Sequence, residues 1–210
     1  MDVLLPAPRA VPQFEVTVPM VVIASVVAVT FVAWAIKPVK LAFVLNPYLV
    51  RHRMQLYRLV TAGWLHADAS HLIFNMLTLY FFADNVVRVL GPLRFLILYF
   101  TAVVVAHIPT TLRHMNNPKY NSLGASGAVA AVIFSAILTY PGLRLSLFFI
   151  PIAVPGYVYA LGYLAYSAYA SYRARDGINH DAHFAGAIYG SLLTFAFEPQ
   201  LVMRTLQSFF

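Results

Sequence analysis

The stretch Leu123-Gly124-Ala125-Ser126-Gly127-Ala128 opens an apolar run that continues to about Tyr140. A serine lies between two glycines here, where a loop is predicted to become a helix buried in a membrane. Small residues of this kind let membrane helices pack closely against each other. The first turn of a helix also offers free N–H groups and the positive end of the helix dipole, which stabilise developing negative charge. Two interpretations therefore stand for Ser126: a packing residue, or a reactive serine at a helix entrance.

The composition is that of a membrane protein. Of the 210 residues, 61% are hydrophobic and only 10% are charged, and the mean hydropathy is +0.76. Soluble domains are about 45–50% apolar and about 25% charged. A segment that spans a bilayer must satisfy its own backbone hydrogen bonds, and the chain has long apolar runs but no alternating barrel strands. The sequence therefore predicts an all-α, polytopic bundle of six transmembrane helices in the lipid bilayer, with no separate soluble domain.

Apolar runs divide the chain into three parts. We expect residues 1–17 to form a short N-terminal segment, residues 18–197 the membrane domain and residues 198–210 a C-terminal tail. A span needs about 20 residues to cross the hydrocarbon core. Apolar pieces within residues 37–69 are too short for this, so we expect that segment to be an ordered loop partly sunk in the membrane interface. The predicted spans are 18–36, 70–87, 93–109, 123–140, 145–172 and 180–197.

Local signals add detail to two of these spans. Ser70 is predicted to be the N-cap of the second span, because a serine hydroxyl accepts a hydrogen bond from a free N–H of the first turn. Pro151, Pro155 and Gly156 fall inside the fifth span. Proline lacks an N–H and clashes with the preceding turn, so we expect these residues to break or kink the fifth helix.

The sixth predicted span carries a histidine on a stripe of small residues. His183, Gly186, Ala187 and Gly190 share one helical face. An ionisable side chain within a span is costly to bury and faces the bundle interior or a cavity. A small-residue stripe favours close contact with the helix that begins at Ser126, which would bring His183 beside it. The alternative is a buried histidine bonded to a backbone carbonyl.

The second predicted span carries His71 and Asn75, which are four residues apart and so share a face. They are either interhelical hydrogen-bonding residues that fix packing or a pair of donors for developing negative charge. A serine, a histidine and extra donors are what acyl transfer requires: a nucleophile, a general base and an oxyanion hole. Asp181 precedes His183 by two residues, about 160° away around the helix, so it is predicted to be a helix-entry residue. The predicted centre is therefore a Ser–His dyad.

Other chemistries are less well supported. The chain has no cysteine, which excludes disulfides and thiolate chemistry. Seven histidines are present, but the zinc motif His-Glu-x-x-His is not, so no metal site and no cofactor are predicted. The net charge of +7 is not arranged as a basic stripe with interleaved aromatics, so no nucleic-acid binding is predicted. Cations flanking the spans are better explained by contact with lipid headgroups.

Together these residues resemble the motifs of the rhomboid intramembrane serine proteases. Gly124-Ala125-Ser126-Gly127 matches the Gly-x-Ser-Gly of that family, and Ala182-His183-Phe184-Ala185-Gly186 matches its Ala-His-x-x-Gly. His71 and Asn75 match its His-x-x-x-Asn, and Tyr57-Arg58 stands where the family often has Trp-Arg in the first loop. The motifs occur in the family's order on spans two, four and six, and the resemblance covers nearly the whole chain.

The resemblance implies a serine endopeptidase that cleaves transmembrane segments of membrane proteins without a cofactor. Ser126 would be the nucleophile and His183 the general base. His71, Asn75 and the backbone N–H of Ser126 would form the oxyanion hole. The first loop would brace the fold, and the fifth span would act as a gate for the substrate. The supporting residues would be Gly124, Gly127, Gly186 and Arg58.

One position departs from the family pattern. Some members have an aromatic residue one turn after the serine, where it stacks on the histidine, but this chain has Ala130 there. Support for the ring of His183 is therefore expected from elsewhere. Two competing hypotheses are a non-proteolytic relative that binds membrane proteins and a small transporter that uses the histidines. Composition and the absence of cysteine favour a bacterial inner (plasma) membrane as the location.

Overall fold

A computed structural model describes residues 16–146, 152–173 and 176–209. Helices dominate this part of the chain, which also contains one short pair of antiparallel strands, so the fold is all-α. The helices are α1 (Val18–Ala35), α2 (Lys37–Phe43), α3 (Pro47–Arg53), α4 (Arg58–Thr61), a 3₁₀ turn (Ala62–Trp64), α5 (Ala69–Leu90), α6 (Pro92–His114), α7 (Ser126–Thr139), α8 (Gly156–Arg173), α9 (His180–Phe197) and α10 (Pro199–Gln207). The strands are β1 (Arg144–Ser146) and β2 (Ala153–Pro155).

Three helices of the described chain are long and apolar enough to cross a membrane: α1, α5 and α6. The next apolar helix, α7, is shorter. Exposed apolar side chains cover the outer faces of α1 and α5, for example Phe31, Ile73 and Phe81. A lipid environment explains this exposure, because hydrocarbon takes the place of water around the bundle. The chain is therefore a multi-pass membrane protein.

Helix α7 is the centre of the bundle. Every residue from Gly127 to Ile137 is buried, and α5, α6 and α9 pack around it. Alanines and a glycine occupy its first turns, so the neighbouring helices approach its backbone closely. Burial on all sides explains why α7 shows no polar face, unlike a surface helix.

The contact between α7 and α9 is backbone against backbone. A Cβ on Gly186 would meet the carbonyl of Gly127, and a Cβ on Gly190 would meet the backbone of Ala131. A Cβ on Gly127 would lie 3.0 Å from the carbonyl oxygen of Ala182. The small-residue stripe of α9 therefore packs on the first turns of α7, which places the N-terminal ends of these two helices side by side.

The first loop, residues 36–68, is folded onto the bundle as three short helices and a 3₁₀ turn. Arg58 is buried in this loop, where its Nη1 donates to the carbonyls of Leu41 (2.9 Å) and Val44 (2.8 Å). Leu45 and Ser122 exchange backbone hydrogen bonds of 3.0 and 2.9 Å. These bonds join the first loop to the segment that leads into α7.

Several helix boundaries differ from the sequence predictions: α5 runs on to Leu90 instead of ending at 87, and α7 begins at Ser126 instead of at 123. Asp68, not Ser70, is the N-cap of α5, since its Oδ1 accepts a hydrogen bond from the N–H of His71 at 2.9 Å. The third predicted span was placed at 93–109, but α6 runs on to His114 with Pro109 inside it. A single proline near the end of a helix removes one hydrogen bond without ending the helix.

The fifth predicted span was wrong at its beginning. Residues 144–146 and 153–155 are not helical, because they pair as the antiparallel strands β1 and β2. Helix α8 begins only at Gly156, directly after Pro155, and Pro151 lies outside the described residues. Most of the predicted N-terminal segment, residues 1–15, also lies outside them. Within the predicted C-terminal tail, residues 199–207 form α10.

Candidate active site

A cavity of about 980 Å³ lies at the N-terminal ends of α5, α7 and α9. The predicted nucleophile Ser126, the predicted base His183, and both His71 and Asn75 line it. These four residues come from three helices that are far apart in the sequence. Arg58 lies outside the cavity, in the first loop. Gly127 and Gly186 lie at the α7–α9 contact described above.

Gly124 is the point at which His71 and Ser126 meet. Its φ is +127°, a conformation that side chains disfavour. A Cβ at this position would lie 2.9 Å from Nε2 of His71 and 3.8 Å from Oγ of Ser126. Any other residue would be strained at this φ and would have to displace the His71 ring, so the glycine lets the imidazole approach the backbone that enters α7. The N–H of Gly124 donates to the carbonyl of Ala62 (3.0 Å), which anchors this backbone to the first loop.

Ser126 is the first residue of α7. The N-cap, Ala125, supplies no side-chain hydrogen bond, and the first N–H to bond within the helix is that of Val129, to the carbonyl of Ala125 at 2.9 Å. The N–H groups of the first turn before Val129 are those that every helix leaves without an intrahelical acceptor. The serine hydroxyl therefore lies beside free donors at the positive end of the helix dipole.

His71 and Asn75 project from the first turns of α5. Asp68 fixes the start of this helix, and the hydroxyl of Ser70 followed by the N–H of His71 hold the pKa of the Asp68 carboxyl below its usual range. The Asn75 side chain is buried, and its Nδ2 donates to the carbonyl of His71 at 3.0 Å. An amide nitrogen has two protons, so one Asn75 proton remains available to a group in the cavity.

Asn179 positions the start of α9, and the sequence analysis missed it. Its Oδ1 accepts hydrogen bonds from the N–H of Ala182 (3.0 Å) and the hydroxyl of Thr110 (2.7 Å), while its Nδ2 donates to Oγ of Ser122 (2.9 Å). One side chain thus joins α6, α9 and the segment that leads to α7. The available signal was an asparagine directly before an apolar run, which is an N-cap pattern.

Two aromatic rings contact His183. The ring of Tyr163 on α8 stacks on it with 6.3 Å between centroids and 27° between planes. The ring of His180 lies edge-on at 5.8 Å and 82°. Ala130, one turn after Ser126, contributes no ring. Sequence analysis did not single out Tyr163, since α8 carries six tyrosines and the spacing does not tell which one faces α9.

Charged residues at the rim pair with each other. Asp181 pairs with Arg113 of α6 at 2.8 Å, in agreement with its predicted place in the first turn of α9. Asp176 contacts Nε2 of His180 at 3.0 Å. A hydrogen bond from the N–H of Ile178, followed by the contact with His180, holds the pKa of the Asp176 carboxyl below its usual range. Neither carboxylate is hydrogen-bonded to His183 in the described part of the chain.

The described residues hold no group of three or more His, Cys, Asp or Glu side chains arranged to bind a metal ion. The predicted site residues that line the cavity, Ser126, His71, His183 and Asn75, supply a hydroxyl, two imidazoles and an amide. Such a set can carry out nucleophilic attack with proton transfer and can stabilise an oxyanion.

Comparisons with known proteins agree with the motifs. A family profile described as the rhomboid domain matches residues 53–200. RHOMBOID-like protein 12, mitochondrial, of Arabidopsis thaliana is 29% identical over 154 residues, covering 66% of this chain and 45% of that protein. The human presenilin-associated rhomboid-like protein, mitochondrial, is 28% identical over 127 residues, covering 60% and 34%.

A bacterial relative is similar over more of its own length. YdcA of Bacillus subtilis, whose name designates it a candidate rhomboid protease, is 32% identical over 140 residues, covering 66% of each chain. The chain spans less than half the length of the two mitochondrial relatives that it matches.

Proposed function

The chain belongs to the rhomboid family, and we propose that it is an intramembrane serine endopeptidase that cleaves transmembrane segments of membrane proteins. The observation that carries the proposal is the cavity at the start of α7, where Ser126, His183, His71 and Asn75 converge from three helices. Packing alone would not require four polar groups at one place in an apolar bundle, because each is costly to bury.

In the proposed reaction, Oγ of Ser126 attacks the carbonyl carbon of the scissile peptide bond as its proton passes to His183. The carbonyl oxygen becomes an oxyanion, which the N–H of Ser126, His71 and Asn75 stabilise. The C–N bond then breaks, and the proton held by His183 passes to the leaving amine. Water, deprotonated by His183, hydrolyses the acyl-enzyme and restores the serine.

Within the described residues, no hydrogen bond joins Ser126 to His183. Catalytic hydrogen bonds are often long in unliganded enzymes and shorten in the substrate complex. The backbone contact between α7 and α9 limits how far the two side chains can separate. The bilayer supplies the substrates, and we propose a bacterial plasma membrane as the location. The family resemblance further suggests α8 as the element that moves to admit a substrate.

The first test is labelling of the detergent-solubilised protein with a fluorophosphonate probe. We expect the wild type to be labelled and Ser126→Ala and His183→Ala to lose labelling while they stay folded. Ser135→Ala is the matched control, because Ser135 is buried on the same helix away from the cavity. It should label like the wild type.

Two outcomes would contradict the proposal. Labelling retained in folded Ser126→Ala would mean that another residue reacts. A folded wild type that resists this probe and a second, unrelated serine probe would favour a non-proteolytic rhomboid relative that binds membrane proteins. Cleavage of a reconstituted transmembrane substrate by the wild type, but not by either variant, would complete the assignment.

A further inference from the structure

A histidine base in a dyad needs its ring oriented by something other than a carboxylate. Among the described residues, no acidic side chain is hydrogen-bonded to His183, since Asp181 pairs with Arg113 and Asp176 pairs with His180. The ring must nevertheless present one nitrogen to Ser126 without rotating away. Packing on its faces is the remaining means of restraint, and α7 offers only Ala130 one turn beyond the serine.

The stacking partner comes from α8. Tyr163 lies nearly parallel to His183, with 6.3 Å between ring centroids and 27° between planes. Offset-stacked aromatic pairs have centroid distances of about 4.5–7 Å, so this is a true ring contact. Tyr163 is itself held by Phe134 of α7 at 5.6 Å and by Tyr159 of its own helix at 5.8 Å. Its position is therefore set by two helices.

We infer that Tyr163 is a positioning residue for the His183 ring, and that the base is fully oriented only while α8 lies against α7 and α9. The inference rests on the proposed function, because it concerns the base of that reaction. The inference also couples the position of α8 to the orientation of the His183 ring. A displacement of α8 that opens the cavity would remove the ring from His183, and its return would restore the base.

Contacts at the far end of α8 hold the helix in place. Arg113 of α6 donates to the carbonyl of Ser171 at 2.6 Å, and its guanidinium lies 5.0 Å from the ring centroid of Tyr172. The same guanidinium pairs with Asp181 of α9. One side chain of α6 therefore connects α8 to the first turn of the helix that carries His183, which keeps Tyr163 and His183 in register.

The test compares three variants by the rate of fluorophosphonate labelling. Tyr163→Phe keeps the ring and should label within about twofold of the wild type. Tyr163→Leu removes the ring and should label about 10- to 100-fold more slowly, since misplacing a catalytic group costs up to about 10²-fold. Tyr157→Leu is the matched control, because it removes another ring of α8, one that pairs with Phe209 at 5.0 Å and is not paired with Tyr163 or His183 among the described residues.

The amplitude of labelling separates positioning from folding. If Tyr163 only stabilises the fold, Tyr163→Leu will lower the fraction of protein labelled at completion, but the folded fraction will react at the wild-type rate. If Tyr163 orients the base, the fraction stays the same and the rate constant falls. With a transmembrane substrate, kcat should fall and KM should change less than twofold.

Several outcomes would overturn the inference while leaving the proposed protease intact. One is a Tyr163→Leu rate equal to that of the wild type or of Tyr157→Leu. Another is an equal loss in Tyr163→Phe and Tyr163→Leu, which would assign the effect to the hydroxyl. The proposed function fails separately, when folded Ser126→Ala still labels. The two failures therefore have different signatures.

Discussion

Three glycines determine where the reactive groups lie. Gly124 brings His71 against the entrance of α7, and Gly127 and Gly186 bring α9 against its first turn. None of the three takes part in the proposed chemistry. Each lacks a Cβ, and a Cβ there would push apart two of the polar groups that line the cavity. The geometry of the site therefore depends on the close approach that glycine allows.

Asn75 offers a prediction at this scale. Asn75→Ala removes an amide that we expect to donate to the oxyanion and leaves Ser126 and His183 in place. The loss of one such donor lowers kcat by about 10²–10³. We expect kcat for a reconstituted transmembrane substrate to fall by this factor and KM to change little, because the donor acts on the transition state.

Asn85→Ala is the matched control for this variant. Asn85 lies on the same helix, nearly three turns farther along and outside the cavity lining. Its side chain should be removable with a change in kcat below about twofold. An Asn75→Ala enzyme as active as Asn85→Ala would exclude Asn75 from the oxyanion hole.

At the scale of elements, the packing of α9 on α7 is the contact that assembles the proposed dyad. A Cβ on Gly186 would overlap the carbonyl of Gly127, so Gly186→Ala must push the helices apart. Overpacking of this kind costs about 1–3 kcal/mol. We expect the variant to unfold at a lower temperature and to lose fluorophosphonate labelling together with the approach of His183 to Ser126.

Gly162→Ala is the matched control for Gly186→Ala. A Cβ on Gly162 of α8 would meet nothing within 4 Å. Alanine is more favourable than glycine within a helix by up to about 1 kcal/mol, so this variant should be as stable as the wild type or more so. Equal stability of Gly186→Ala and the wild type would mean that the α7–α9 contact is looser than described.

Much of this element-scale geometry could be predicted from the sequence. Residues three and four apart on a helix share a face, so the spacing from His183 to Gly190 predicted the stripe that packs on α7. Tyr163 could not be chosen among the tyrosines of α8, because periodicity alone does not show which face meets another helix. The pairing of β1 with β2 was also missed, since pairing of three-residue strands depends on a partner and not on local pattern.

At the scale of the whole molecule, His66 connects the first loop to α1. The Thr30 hydroxyl donates its one proton to the carbonyl of Trp64 (2.7 Å), so it accepts from Nδ1 of His66 at 3.1 Å. Trp34 donates to the backbone carbonyl of His66 at 2.8 Å. Because Nδ1 carries the proton, Nε2 is unprotonated, and it is buried with no hydrogen-bond partner among the described residues. Protonation of this nitrogen would place an unpaired charge in the interior.

The stability of the whole fold should therefore depend on pH through His66. Burial, followed by the nearby His71, lowers the pKa of His66 from 6.5 to about 3, and Asp68 opposes this only in part. Between these two values the unfolded chain binds a proton that the folded chain does not. The contribution is complete above pH 6.5 and is lost as the pH falls, by about 1.4 kcal/mol per pH unit.

The His66→Asn variant isolates this contribution, because an asparagine amide can donate to Thr30 but does not titrate. Between pH 7.5 and pH 4.5, the free energy of unfolding of the wild type should fall by about 2–3 kcal/mol more than that of the variant. Reversible unfolding in mixed micelles at the two pH values measures this difference. The titration of the other histidines contributes to both proteins and so cancels in the comparison. If the free energy of unfolding has the same pH dependence in both proteins, water or a rearranged loop reaches Nε2 of His66, and the first loop does not exclude water from its contact with α1. A difference of the expected size would identify this junction as the acid-sensitive point that holds the loop beneath the entrance of α7.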